Sequence, residues 1–122
     1  MGFKTGMIEG TNIVRIDLVG AVTFDERIQA IHQVCTEHYK VQAKLKILID
    51  ARQVSKELTQ SEQVILGTYA ASREELKNAS VAVLVVASQI VHSQAIQKSS
   101  ELGHEIKLFH TESEALIWLN SK

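Results

Sequence analysis

The sequence predicts an α/β fold: a five-stranded mixed sheet flanked by four helices. Three observations predict it. First, the tetrads Thr23–Glu26, Thr59–Glu62 and Thr111–Glu114 share the pattern Thr-x-x-Glu, and each follows an apolar, strand-like segment. Each reads as a capping box, in which the Thr hydroxyl and the Glu carboxylate satisfy free amides at a helix start. Second, two strand-like segments near the amino end are separated by the turn signal Glu9-Gly10-Thr11-Asn12, as in a hairpin. Third, Ser80 to Ala87 is apolar and β-branched after its first residue, the pattern of a central strand buried on both faces. The predicted order is ββαβαβαβα, with right-handed parallel crossovers after the hairpin.

The elements follow in order. The first strand runs from Phe3 to Ile8. In the second, Val14, Ile16 and Leu18 face one way and Arg15 and Asp17 the other, which leaves one face partly wet. Gly20 ends it and Thr23 caps the first helix. Phe24, Ile28, Ile31, Cys35 and His38 fall on one face of that helix, so Cys35 reads as a packed core thiol. Leu45 to Asp50 is the third strand, ending in Asp50, and a loop from Ala51 to Leu58 leads to the second helix at Thr59. Val64 or Ile65, Tyr69 and Leu76 give that helix its buried side. After the strand at Ser80–Ala87, a third helix carries Val91, Ala95 and Leu102 and stops at Gly103. Ile106 to His110 is the last strand, and Thr111 caps a short helix with Leu116, Trp118 and Leu119.

Length and composition bound the functions. The chain of 122 residues is long enough for one domain, 1–122, with its own core. Lys plus Arg is 13 and Asp plus Glu is 14, so no basic footprint for nucleic acid or anionic membrane is expected. One cysteine allows no internal disulfide and suits a reducing cytoplasm. No apolar run reaches bilayer length and no signal peptide is visible, so neither integral membrane association nor export is expected. The chain has no proline. Gly-x-Ser-x-Gly, P-loop and Gly-x-Gly-x-x-Gly motifs are all missing, so the reading is non-enzymatic and without cofactor. Cys35 and His38 are spaced as half a metal site, but no second pair accompanies them, and no metal is expected.

Gly20-Ala-Val-Thr23, Leu45-Lys-Ile-Leu-Ile-Asp-Ala-Arg52 and Glu114-Ala-Leu-Ile-Trp-Leu119 occur together in this order. The set resembles the STAS family, in its SpoIIAA-like branch, which is also similar to the lipid-binding CRAL-TRIO fold. The resemblance covers nearly the whole chain and implies two themes. One is a bacterial-type regulatory module that binds a protein partner, as anti-sigma-factor antagonists do, and is phosphorylated on a hydroxyl where the second helix starts. The other is a carrier of a small apolar or lipid-like ligand. A homodimer is compatible with either.

In the antagonists the acceptor lies nine residues after the Asp that ends the third strand. Counting from Asp50 lands on Thr59, but Leu58 stands where that motif has Asp and no Ser-Gly follows. Thr59 therefore matches in position and hydroxyl alone. A phosphate there would meet the free amides of a helix N-terminus; the plainer role is an N-cap. Asp50, Arg52, Ser55, Ser61 and Ser88 are the further candidates for a partner or ligand surface, since open α/β sheets form crevices at their strand ends. The structural alternatives are loop shaping for Asp50, a solvated side chain for Arg52 and a helix cap for Ser88. Leu66, Tyr69 and Ile96 would line an apolar pocket if a ligand is carried.

Overall fold

Apolar alternation sets the sheet, and the computed structural model describes residues 2–37, 45–55, 58–86 and 105–122. The strands are β1 (Gly2–Met7), β2 (Ile13–Gly20), β3 (Lys46–Val54), β4 (Ser80–Leu84) and β5 (Glu105–Phe109). They lie side by side in the order β1-β2-β3-β4-β5. β1 is antiparallel to β2, and β2 through β5 are parallel. The helices are α1 (Phe24–Glu37), α2 (Gln60–Ser72) and α3 (Glu112–Asn120), with a 3-10 turn at Glu74–Leu76 after α2. The described residues thus hold three α-helices where four were expected. The helix expected with Val91, Ala95, Leu102 and Gly103 lies outside the described residues.

The β1–β2 hairpin closes as its sequence requires. Ile8 N donates to Ile13 O at 2.9 Å and Thr11 N to Ile8 O at 3.1 Å. Gly10 sits in that turn at φ 76°, a conformation open to residues without a Cβ.

The sheet separates two cores. On one face Val14, Ile16, Leu18, Ile47 and Val83 pack with Ala30, Val34 and Cys35 of α1. Burial holds the Cys35 thiol above its ordinary range, as for a packed hydrophobe and unlike a nucleophile. On the other face Ile13, Leu48, Ala82 and Leu84 pack with Ala115 and Leu119 of α3. α1 and α2 share the first face because β2–α1–β3 and β3–α2–β4 step the same way across the sheet.

Three expectations change. β3 continues four residues past Asp50 to Val54, so Asp50 lies inside the strand and not at its end. Charged residues hide a strand from sequence reading, and here they are held by ion pairs described below. The middle strand is β3, while β4 is flanked by β3 and β5. α1 also carries a wider apolar surface than one stripe: Ala30 and Val34 meet the sheet, while Phe24, Ile28 and Ile31 meet Leu58 and Leu66 at α2. His38 lies outside the described residues. No helix among the described residues is long and apolar enough to cross a membrane.

Candidate functional site

α1 and α2 both begin at the carboxyl edge of the parallel strands, and their starts are built alike. Thr23 N donates to Glu26 Oε1 at 2.9 Å and Glu26 N to Thr23 Oγ1 at 3.1 Å. At α2 the matching distances are 2.9 Å for Thr59 N to Glu62 Oε1 and 3.1 Å for Glu62 N to Thr59 Oγ1. Both are complete capping boxes. α3 has half of one: Glu114 N donates to Thr111 Oγ1 at 3.3 Å, but the Glu114 carboxylate takes the Thr111 hydroxyl and not the cap amide.

The likeness of α1 and α2 extends one residue further. Arg27, which follows the first box, is only 3% exposed and donates from Nη2 to Val22 O at 3.1 Å. Gln63, which follows the second, is also buried and donates from Nε2 to Leu58 O at 3.1 Å. Each side chain folds back over its box to the carbonyl just before the cap. A repeated signal stands in the sequence, Val22-Thr-x-x-Glu-Arg27 and Leu58-Thr-x-x-Glu-Gln63. Burial pulls the Arg27 guanidinium below its ordinary value, against the charges of Glu62 and Glu26. The Gly20 carbonyl accepts from Val22 N, just before the first cap, and from Ser55 N, just past β3, each at 2.9 Å.

On the opposite face, five charged side chains converge at the start of α3. Arg15 donates to Asp17 at 2.8 Å, to Asp50 at 2.7 Å and to Glu112 at 2.8 Å. Arg52 grips Asp50 with Nε and Nη2 at 3.0 and 2.9 Å, and its amide adds a bond to Oδ1 at 3.1 Å. Arg52 holds the Asp50 carboxyl below the usual carboxylate range against the opposing effect of burial. Around Arg15, bonds to Glu112 and Asp17 outweigh desolvation and raise its pKa. The group spends its charges on one another. No buried side-chain nitrogen or oxygen among the described residues lacks a partner.

The predicted site residues therefore divide. Asp50 is 8% exposed and locked between two arginines. Arg52 pairs with Asp50, where a solvated side chain was the plainer expectation. Thr59 is an exposed N-cap, and Ser61 and Ser55 are exposed. Leu66 packs with Leu58 against α1, and the Tyr69 hydroxyl accepts from Arg73 Nη1 at 3.1 Å. Ser88 and Ile96 lie outside the described residues. Among those described, no group of three or more His, Cys, Asp or Glu side chains could hold a metal ion. Sequence reading missed Arg15, Arg27, Gln63 and Glu112; the repeated box-plus-one pattern could have found Arg27 and Gln63.

α2 has one further property. Its outer face carries Ile65 at 55% and Val64 at 36% exposure, one to two turns after Thr59 and Ser61, while Leu66 and Gly67 are buried on the inner side. α1 presents only polar residues outward: Asp25, Gln29, His32, Thr36 and Glu37.

No family model matches the chain, and no curated protein matches it. A solved structure does: an uncharacterized protein of the DUF3478 family from Shewanella loihica PV-4, described as having a SpoIIAA-like fold. The likeness covers 97% of this chain and 94% of that one, with a TM-score of 0.62 and 18% sequence identity. Architecture and comparison agree, and the chain has a SpoIIAA-like fold.

Proposed function

We propose that this chain is a non-enzymatic regulatory module that binds a protein partner through the outer face of α2. The observation that carries this reading is the exposure of Val64 and Ile65. A helix that is apolar on both sides is ordinarily covered on both sides. The inner side of α2 is covered by α1 and the sheet. The polar rim of Thr59, Ser61 and Thr68 beside an apolar centre suits a reversible contact better than a permanent one. The sequence resemblance to the STAS family, whose anti-sigma-factor antagonists carry their switch where this helix starts, supports a contact near the same helix.

Thr59 acts here as a cap. A phosphate on it would keep acceptors for the Glu62 amide but would stand beside the Glu62 carboxylate of the same box. Partner choice through Val64 and Ile65 needs no such modification.

Native mass spectrometry of the protein purified from its own host tests the proposal. A stoichiometric protein partner is expected with the wild type and is lost with Ile65→Glu. A copurified apolar small molecule, with the protein otherwise alone, would instead support a lipid-like carrier. A partner retained by Ile65→Glu would move the contact off α2.

A further inference from the structure

A second surface lies at the far edge of the sheet and is independent of α2. Among the described residues β1 pairs with β2 alone, so its other side is a free strand edge. Such edges are ordinarily blunted by proline, bulges or several charges. β1 contains no proline, and its register runs without a shift from Gly2↔Val19 to Met7↔Val14. Lys4 is the strand's one charge. The opposite edge, β5, carries both Glu105 and Lys107.

The hairpin shows which backbone groups are free. Ile8 N bonds to Ile13 O, so residue 8 points toward β2. Direction alternates along an antiparallel strand. Gly2, Lys4 and Gly6 therefore also bond inward, while the N–H and C=O of Phe3, Thr5 and Met7 point outward. The same three side chains lie on the α1 face, where Gln33 of α1 donates to Thr5 Oγ1 at 2.8 Å.

We propose that β1 pairs antiparallel with β1 of a second copy of this chain, about a two-fold axis through Thr5. In that register Thr5 faces Thr5 of the second copy and Phe3 faces Met7 of the second copy. Every outward backbone group of the strand is used. Met7, 49% exposed in the single chain, is covered by the half-buried Phe3 of the second copy. On the other face Lys4 lies across from Gly6, around whose Cβ position no atom stands within 4 Å, so the Lys4 stem has room.

Neighbouring registers are worse. An axis at Lys4 sets two like charges opposite each other in the closer type of pair. An axis at Gly6 leaves Phe3 facing the turn residue Glu9. The contact is isologous, so it closes at two copies and joins both sheets into one.

Sedimentation equilibrium tests the proposal across roughly 1 µM to 1 mM protein, the range of a modest interface. The wild type should pass reversibly from monomer to dimer. Thr5→Pro removes an outward N–H and leaves the ladder to β2 intact, so the chain should stay folded by circular dichroism. Its dimer dissociation constant should rise by about tenfold or more.

A second variant keeps the test sharp if Thr5→Pro fails to fold. Bonded antiparallel pairs hold their Cα atoms about 5.5 Å apart, within disulfide range. In a Cys35→Ser background, Thr5→Cys should therefore oxidise to a covalent dimer, and Lys4→Cys, facing Gly6, should not. A wild type that stays monomeric throughout, a dimer unmoved by Thr5→Pro, equal cross-linking by Lys4→Cys, or a dimer dissolved by Ile65→Glu would each overturn the proposal.

Discussion

α1 and α2 lie side by side on one face of the sheet and begin with the same construction, yet they meet solvent differently. Both start from a complete Thr-x-x-Glu box, and both fold the next polar side chain, Arg27 or Gln63, back to the carbonyl before the cap. Their inner residues meet one another through Phe24, Ile28, Ile31, Leu58 and Leu66. Folding makes equal demands of the two. The outer face of α1 is polar throughout, and that of α2 holds Val64 and Ile65. Local capping and inner packing are alike, so the exposed Val64 and Ile65 are what set α2 apart, and the proposed partner contact rests on them.

The contrast between inner and outer faces is steepest on α2. Leu66→Ala removes a buried side chain from the α1–α2 contact and should cost about 3 kcal/mol in chemical denaturation. Ile65→Ala, one residue earlier, should change stability by no more than about 0.5 kcal/mol. Similar losses at both positions would mean that the outer face is part of the core.

The folded-back side chains come next. Arg27→Met strips a charged donor from a buried carbonyl and should cost about 2 kcal/mol, while Gln63→Met should cost about 1 kcal/mol. An order reversed in urea titrations would separate the two helix starts. Smaller again are the caps: Thr23→Ala and Thr59→Ala should each cost about 1 kcal/mol. An unmoved midpoint for Thr59→Ala alone would raise the case for a functional role of its hydroxyl.

The last contribution is fully present at neutral pH and is lost in acid. Arg52 holds the Asp50 carboxyl below its ordinary value in the folded state. As pH falls below about 4, the unfolded chain takes up that proton first, so stability is lost as pH drops toward the folded value. Asp50→Asn should flatten this part of the stability–pH curve. A curve identical to wild type would mean that the ion cluster under α3 contributes nothing linked to Asp50.

How much of this was readable follows from distance along the chain. The boxes of α1 and α2 were legible because both partners sit three residues apart and the pattern needs no tertiary contact. The same pattern overstated α3, where the Glu114 carboxylate turned to the Thr111 hydroxyl. β3 was cut short at Asp50 because Asp, Arg and Gln read as loop. What keeps them in a strand is distant in sequence: β2 pairs Val19 with Gln53 and Gly20 with Val54, and Arg15, 35 residues before Asp50, neutralises that carboxylate. Arg27 drew no reading because arginine is ordinarily exposed, and only the fold puts Val22 O within its reach. The outer face of α2 was misread for a related reason. Val64 and Ile65 look like core by composition, and Leu66 is the residue that turns inward.

Ile65→Glu probes the outer face of α2 itself, with stability and partner binding measured on the same sample. The expected result is an unchanged denaturation midpoint, within about 0.5 kcal/mol, together with loss of the partner that copurifies with the wild type. A variant that unfolds, or one that is stable and still binds that partner at wild-type strength, would contradict a free, partner-binding face on α2.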